Sequence, residues 1–182
     1  MKRILVHLNG PPGVGKLTIG RNLASLTGAR LLDNHAIYDV AFALTEFRSP
    51  EFYATVRAVR DVAYERIVAS ASTTSVILTG ADFEGSDWGL ESWRAVLALG
   101  RRCGAPVFAV QIRCAPEEHR RRIVSESRGE KGKLRDPASV DQWAERRPFS
   151  QGAHRSLELD VTALPPDGAA QTIKRWLDGA TA

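Results

Sequence analysis

The residues whose types and spacing most clearly allow chemistry run from Gly10 to Thr18, with the sequence Gly-Pro-Pro-Gly-Val-Gly-Lys-Leu-Thr. In the spacing Gly-x-x-x-x-Gly-Lys, the glycines let the backbone adopt positive φ, so that successive N–H groups can converge on an anion. Lys16 adds a full positive charge. The hydroxyl that such loops carry directly after the lysine arrives one residue later, on Thr18. The chemistry that this stretch predicts is phosphate binding.

Two carboxylates follow apolar runs that have the composition of buried strands. Asp33 ends the short run 30–33, and Asp82 comes just after the run 75–80. The carboxyl ends of parallel strands meet at one edge of a sheet, so both groups are expected beside the phosphate loop, where they can contact a substrate or a cation. A helix N-cap is the alternative for Asp33, and a solvated turn carboxylate is the alternative for Asp82.

Basic residues crowd one third of the chain: Arg120, Arg121, Arg122, Arg128, Lys131, Lys133, Arg135, Arg146 and Arg147. Aromatic residues suited to base stacking are not interleaved among them, which argues against nucleic acid as a partner and favours a lid that handles phosphate. Arg121, Ser125 and Arg128 share one helix face by spacing, although solvated surface charge is the usual meaning of such runs.

Other basic side chains have weaker signals. Arg57 and Arg60 could clamp an anionic substrate, although an amphipathic helix needs a polar face in any case. His7 lies within a predicted strand and is interpreted as a core histidine whose polar atoms are satisfied, whereas His35 stands next to the candidate carboxylate Asp33.

The elements that must position these residues alternate between strands and helices. Apolar runs predict strands at 4–8, 30–33, 75–80, 106–112 and 157–161, and helical spacing predicts helices at 16–26, 37–44, 50–68, 88–102, from 116, 137–146 and after 166. Parallel strands need crossover connections, so this alternation predicts a three-layer α/β/α domain with a mainly parallel five-stranded sheet.

Length and composition are those of one soluble globular domain. The chain has 182 residues, of which 43% are hydrophobic and 25% are charged, and its apolar runs are too short to span a membrane. We therefore expect a single domain over 1–182. Cys103 and Cys114 have neither metal-ligand nor redox-motif spacing, which is typical of reduced cysteines in a cytoplasmic protein.

The loop, with its hydroxyl second after the lysine, resembles that of the small P-loop kinases, which include adenylate, shikimate and gluconate kinases and chloramphenicol phosphotransferase. The resemblance covers nearly the whole chain: Asp33 ends the second strand, 76–80 is similar to the third strand, Arg122 and Arg128 are similar to the start of the lid, and 160–165 resembles the loop that lies against adenine. It implies the P-loop NTPase fold with sheet order 2-3-1-4-5 and a small helical lid over about 116–147.

The chain also departs from these families. The Asp-Gly pair that follows the third strand of nucleoside-monophosphate kinases is missing, and Gly80 stands where shikimate kinases carry three glycines. Neither substrate is therefore supported. Asp33-Asn34-His35 also differs from the paired aspartates of shikimate kinases.

The resemblance implies ATP and Mg²⁺ as cofactors, and phosphoryl transfer depends mostly on positioning and charge neutralisation. Lys16 is expected to bridge the β- and γ-phosphates, Thr18 and Asp82 to serve Mg²⁺, and Asp33 to orient an acceptor hydroxyl or act as its base. Arg122 is expected against adenine and Arg128 near the moving phosphate. The predicted nucleotide contacts are Gly10, Gly13, Val14, Gly15, Lys16, Leu17, Thr18 and Arg122.

These expectations describe a cytoplasmic, ATP- and Mg²⁺-dependent kinase, monomeric or homodimeric, that phosphorylates a hydroxyl of a small molecule. Two alternatives stay open: a nucleotide-binding switch that hydrolyses slowly or not at all, and a nucleic-acid end kinase suggested by the net charge of +4. The Gly- and Lys-rich stretch within 122–135 is expected to be an open lid that becomes ordered over bound nucleotide.

Overall fold

A computed structural model of the chain describes residues 3–70, 73–124 and 136–181. Its sheet has five parallel strands in the order β2-β3-β1-β4-β5. The strands are β1 (Leu5–Asn9), β2 (Arg30–Leu32), β3 (Val76–Gly80), β4 (Val107–Arg113) and β5 (Arg155–Asp160). The predicted strands and their order are confirmed.

Helices connect the strands and cover the sheet. They are α1 (Lys16–Thr27), α2 (His35–Leu44), α3 (Pro50–Ala69), α4 (Asp87–Arg102), α5 (Pro116–Ile123), α6 (Asp141–Ala144) and α7 (Pro166–Thr181). Two helix boundaries have clear causes: Gly28 ends α1 in the left-handed conformation, and the Ser49 hydroxyl accepts a hydrogen bond from the Phe52 amide ahead of Pro50.

Both faces of the sheet are buried, as the side chains of β1 demonstrate. Val6 and Leu8 belong to a core cluster that includes Ile19 of α1 and Ile173 of α7. Leu5, on the opposite face, belongs to a second cluster with residues of α3 and α4. Successive strand residues point to opposite faces, so this division confirms the three-layer α/β/α arrangement.

The segment from α5 to α6 differs from its prediction in one respect. The helix expected over 137–146 is a 3-10 turn, Pro137–Val140, followed by the single turn of α6. Pro137 and the hydrogen bond from the Ala138 amide to the Asp136 carboxylate begin the 3-10 turn. Within the lid predicted over about 116–147, residues 125–135 lie outside the described residues, as does Arg128.

Two further findings concern membrane-spanning helices and the two cysteines. Within residues 3–70, 73–124 and 136–181, no helix combines the length and apolar character that crossing a membrane requires. Cys103 and Cys114 are free thiols, and burial raises the pKa of Cys114.

Candidate active site

A cavity of about 1550 Å³ opens along the carboxyl edge of the sheet. The phosphate loop, Asp33 and Asp82 all line it, together with side chains of α2, α3 and α4. Asn9 at the end of β1 lies in register with Gly80 at the end of β3, so the segments that follow these strands emerge side by side. The topology thus brings the sequence-predicted residues of this edge into one cavity.

The phosphate loop joins β1 to α1 by a tight path. Gly13 and Gly15 have φ of 103° and 97°, which is the left-handed region that side chains disfavour. The first helical hydrogen bond runs from the Ile19 amide to the Gly15 carbonyl over 3.0 Å, so the amides of residues 16–18 precede it. An anion at this helix N-terminus would meet those N–H groups.

Lys16 lies against the loop that it follows. Its Nζ donates to the carbonyl oxygens of Gly10 and Pro11, over 2.6 and 2.8 Å. Those contacts hold the ammonium group at the cavity, where Thr18 is an exposed lining residue. The predicted phosphate ligands therefore share one wall.

Arg122, on the last turn of α5, connects the phosphate loop with the segment after β5. Its Nη1 donates to the Val14 carbonyl over 3.4 Å, and its Nη2 donates to the Val161 and Thr162 carbonyls over 2.8 and 3.3 Å. Its Nε donates to Glu118 over 2.6 Å. The guanidinium thus lies between the loop and the segment expected against adenine.

The segment after β5 has a fixed shape. The Asp160 carboxylate accepts hydrogen bonds from the hydroxyl and the amide of Thr162, over 2.6 and 2.9 Å, and these bonds lower the pKa of Asp160. The Thr162 hydroxyl accepts from the Ala115 amide over 2.8 Å. The carbonyls that hold Arg122 are therefore positioned before any ligand arrives.

Asp33 is held by a neighbouring strand. The Thr79 hydroxyl of β3 donates to its Oδ1 over 2.6 Å and accepts from the Asn34 amide over 2.9 Å. Asn34, and not Asp33, is the residue at the N-cap position of α2, and it makes no side-chain cap hydrogen bond. The Asp33 carboxylate is thus tied to the sheet edge, whereas its main-chain carbonyl accepts from the Ala36 amide at the start of the helix.

Asp82 is buried, which makes the solvated-turn interpretation of this carboxylate wrong. Its residue exposure is 7%, and its Oδ2 lies 3.4 Å from Nε2 of His7, which is 1% exposed. His7 Nδ1 has no hydrogen-bond partner among the described residues, so the expectation of a fully satisfied histidine is also wrong. Asn9 fixes the turn, since its side chain donates to the Asp82 carbonyl and accepts from the Asp82 amide, over 2.8 and 2.9 Å.

The two arginines of α3 have different surroundings. Arg57 is half exposed and forms a two-bond pair with Glu91, over 2.7 and 2.8 Å. Arg60 lines the cavity with a side chain that is 12% exposed. Its Nη2 donates to Glu91 over 3.2 Å, and its Nε is 4.0 Å from Asp61, but its Nε and Nη1 have no hydrogen-bond partner among the described residues.

Aromatic side chains cover the part of the cavity contributed by α2, α3 and α4. We call this set the aromatic wall, and it consists of Tyr38, Phe42, Phe47, Phe52, Tyr53 and Trp88. The rings of Phe42, Phe47 and Phe52 lie 5.2 to 5.6 Å apart in each pairing. The helical spacing that predicted helices over 37–44 and 50–68 gave no sign that these rings line a cavity.

The described residues hold no group of three or more His, Cys, Asp or Glu side chains that could bind a metal ion by themselves. A cation here would need oxygen atoms from a ligand as well. Thr18 and Asp82 both line the cavity, and hydroxyl and carboxylate oxygens suit Mg²⁺, which commonly keeps several waters and binds to substrate phosphates. The donor set therefore fits a Mg²⁺ that arrives with a nucleotide.

Sequence reasoning missed three positioning residues. Asn9 and Thr79 are described above, and His119 of α5 is 3% exposed with its Nε2 2.7 Å from the Pro12 carbonyl. The available signal for Asn9 and Thr79 was a polar residue near the end of an apolar strand. His35, the histidine singled out beforehand, lies 3.3 Å from Asp39 in its own helix.

Known proteins resemble this chain in sequence and in fold. No protein-family model matches it. Cytidylate kinase of Corynebacterium glutamicum is 29% identical over 174 residues, which are 90% of this chain and 75% of that protein. A kinase-like protein of Chloroflexus aurantiacus superposes with a TM-score of 0.70 at 19% identity over 98% of both chains. The chain has the fold of the small P-loop kinases.

A gluconokinase of Sinorhizobium meliloti has the same P-loop kinase fold, with a TM-score of 0.58, 15% identity, and coverage of 98% of this chain and 95% of that one. The predicted fold resemblance is thereby confirmed. At these identities the solved structures establish the fold, and the roles of individual residues depend on the geometry of this chain.

Proposed function

We propose that the protein is an ATP- and Mg²⁺-dependent kinase that transfers the γ-phosphate to a hydroxyl group of a small molecule. The observation that carries the proposal is the single cavity in which the phosphate loop and Asp33 share a space with a second, aromatic compartment. A protein that only bound nucleotide would have no need for that compartment. The resemblance to kinases supports the same assignment.

On the nucleotide side, residues 13–18 would surround the phosphates, Lys16 would exchange its loop carbonyls for phosphate oxygens, and Arg122 would lie beside adenine. Mg²⁺ would be held by Thr18 and, through water, by Asp82, and it would neutralise charge on the transferring phosphoryl group. Arg128 stays a proposed catalytic residue because it lies outside the described residues.

On the acceptor side, Asp33 is the proposed base or anchor for the hydroxyl. The hydrogen bond from Thr79 fixes one carboxylate oxygen, so the carboxylate can meet the acceptor without reorganising. Arg60 lines the cavity with a cation whose Nη2 is paired with Glu91 and whose Nε and Nη1 have no hydrogen-bond partner among the described residues, which would suit an anionic group of the acceptor.

The test compares Asp33→Asn with Asp39→Asn, a change to an exposed carboxylate on α2. Transfer from labelled ATP to a metabolite pool should fall by roughly a hundredfold or more in Asp33→Asn, since positioned acid–base groups contribute about that much, and ATP affinity should not change. The control variant should retain transfer.

Outcomes of the same assay separate the competing functions. If the wild type binds ATP but transfers to nothing across a broad metabolite panel, the nucleotide-binding switch replaces the kinase. Transfer to a nucleotide phosphate, the group that cytidylate kinases phosphorylate, would keep the kinase and overturn the alcohol acceptor. Transfer to oligonucleotide ends would revive the nucleic-acid end kinase.

A further inference from the structure

We propose that the acceptor carries a planar, unsaturated ring that binds against the aromatic wall; this inference rests on the proposed kinase function and specifies its substrate class. A kinase of a purely polar acceptor, such as a sugar acid, would be expected to surround it with hydrogen-bonding groups. Here α2, α3, α4 and the connection between α2 and α3 add aromatic side chains to the polar lining.

The first support is the exposure of apolar rings inside the cavity. Phe42 and Phe47 are 42% and 58% exposed, and both line the cavity that also holds Lys16 and Asp33. Single exposed apolar residues are ordinary, but neighbouring ones in a concave site mark a binding surface. Their centroids are 5.6 Å apart, and the buried ring of Phe52 lies behind both, so they form one surface.

The second support is the connection that presents Phe47. The next residue, Arg48, has φ of 65°, a left-handed conformation that a side chain disfavours. Its guanidinium lies 5.1 Å from the centre of the Phe47 ring. A more relaxed connection between α2 and α3 would not require this conformation. In the connection as it is, the Phe47 ring borders the cavity.

The third support is that the inner part of the wall is fixed and uncharged. Trp88 Nε1 donates to the Tyr38 hydroxyl over 2.7 Å, and the Trp88 ring lies 4.7 Å from that of Tyr53. Burial raises the pKa of Tyr38 to about 12, so its hydroxyl stays protonated at neutral pH. A rigid wall of neutral rings binds a flat ring without first having to be ordered.

The positive charge of Arg60 further restricts the kind of acceptor that would bind beside the aromatic wall. Arg60 lies in the same compartment and places a buried cation near the wall. The aromatic wall, Arg60 and Asp33 line one cavity, so the acceptor that we propose is a small aromatic alcohol with one anionic group.

The experiment uses three probes on the full chain in the presence of a non-hydrolysable ATP analogue and Mg²⁺. They are 3-phenyllactate, lactate and 3-cyclohexyllactate, which share the alcohol and the carboxylate and differ in the ring. NMR titration should give 3-phenyllactate a Kd about fivefold lower than that of 3-cyclohexyllactate, the expected scale of one aromatic contact, and lower by a larger factor than that of lactate, which has no ring to bury. In Phe47→Ala this preference should disappear.

Matched variants make the result specific. Val62 of α3 also has an exposed apolar side chain, 65% exposed, but it does not line the cavity. Val62→Ala should therefore leave the preference for 3-phenyllactate intact. Phe47→Leu keeps apolar volume without a planar ring and should lose most of the preference. Melting temperatures of all variants identify any that have unfolded.

Three outcomes would overturn the inference: equal affinities for 3-phenyllactate and lactate, an equal affinity for 3-cyclohexyllactate, or no binding of 3-phenyllactate. Persistence of the preference in Phe47→Ala would also overturn it. The titration measures no phosphate transfer. A ring preference without transfer in the Asp33 assay would therefore reject the kinase function alone, and transfer without a ring preference would reject this inference alone.

Discussion

Lys16 is held by two carbonyl groups of its own loop, and we propose that it meets phosphate oxygens in their place when ATP binds. In Lys16→Ala the affinity for ATP should fall roughly tenfold or more, because a hydrogen bond to a charged group contributes about 1.5 to 3 kcal/mol. Isothermal titration measures this affinity. Lys174→Ala, which removes a lysine paired with Asp178 on α7, should bind ATP like the wild type.

Loss of the folded state in Lys16→Ala, seen by circular dichroism, would instead show that Lys16 is structural. An unchanged affinity in a folded variant would remove Lys16 from the nucleotide site.

Arg122 and Arg121 offer a matched pair of neighbouring arginines. Both contact Glu118, but Arg122 also reaches the carbonyls of Val14 and Val161, whereas the Arg121 side chain is 75% exposed. Arg122→Ala should weaken ATP binding by about tenfold, on the scale of one lost charge-assisted contact. Arg121→Ala should change it by less than a factor of about two, since exposed ion pairs contribute little. Equal effects of the two variants in the same titration would contradict the position assigned to Arg122.

Sequence reasoning identified residues of the site whose role follows from local pattern, and it missed those whose role depends on strand register. The phosphate loop can be recognised in the sequence because its glycines, lysine and hydroxyl lie within one short stretch. Thr79 reaches Asp33 only because β2 and β3 are neighbours in the sheet. Spacing along α3 likewise could not separate Arg57, which pairs outside the cavity with Glu91, from Arg60, which lines it.

At the scale of elements, β1 and the turn after β3 pack closely at Gly80. A Cβ at Gly80 would collide with His7 Nε2 and would lie 2.6 Å from Asp82 Oδ2, and both neighbours are buried. Gly80→Ala should therefore lower the free energy of unfolding by about 1 to 3 kcal/mol, the usual cost of overpacking.

Denaturant unfolding measures this change, and Gly179→Ala is the control. Gly179 lies in α7 with nothing within 4 Å of its added Cβ, so alanine there should stabilise by about 0.5 to 1 kcal/mol. If Gly80→Ala were as stable as the wild type, the contact between His7 and Asp82 would not be tight.

The ion pairs of α5 make the stability of the folded state depend on pH in a direction that the pKa of Glu118 determines. Hydrogen bonds from Arg121 and then Arg122 lower the pKa of Glu118 to about 2. A lowered carboxyl pKa stabilises the folded state above the unfolded pKa of about 4.3, and this stabilisation is lost as the pH falls toward 2. The difference in melting temperature between the wild type and Glu118→Gln should be constant from about pH 5 to 8 and shrink below about pH 4.

These ion pairs are partly exposed, so the difference in melting temperature is small. The measurement is best made at low ionic strength, because salt screens such pairs. Glu117→Gln, a change to an exposed neighbour, should show no such trend. A difference that grew as the pH fell would contradict the assigned pairing.

The elements themselves were largely predictable from local signals. Glycine, proline and serine mark the ends of α1 and α3, and apolar runs mark the strands. The prediction was wrong for 137–146, where a helical pattern forms a 3-10 turn and one turn of α-helix. Short segments of this kind take their shape from packing, and the 3-10 turn packs against α5.

At the scale of the whole molecule, the sheet order was predicted from the family resemblance, and the structure has that order. The aromatic wall was not predictable, because its rings come from three helices and the connection between α2 and α3, and no local pattern specifies how these pack together. The fold alone therefore gave no indication of the substrate class that we propose from the assembled cavity.

The proposed kinase function requires that this cavity couple bound ATP to an organic acceptor. Its most direct test incubates the protein with ATP labelled in the γ-phosphate, Mg²⁺ and a metabolite pool, and identifies labelled products by chromatography and mass spectrometry. We predict a labelled organic phosphate with the wild-type protein and none above background with Lys16→Ala. The proposed kinase function would be contradicted if a wild-type protein that demonstrably binds ATP left the label in ATP or released it only as inorganic phosphate.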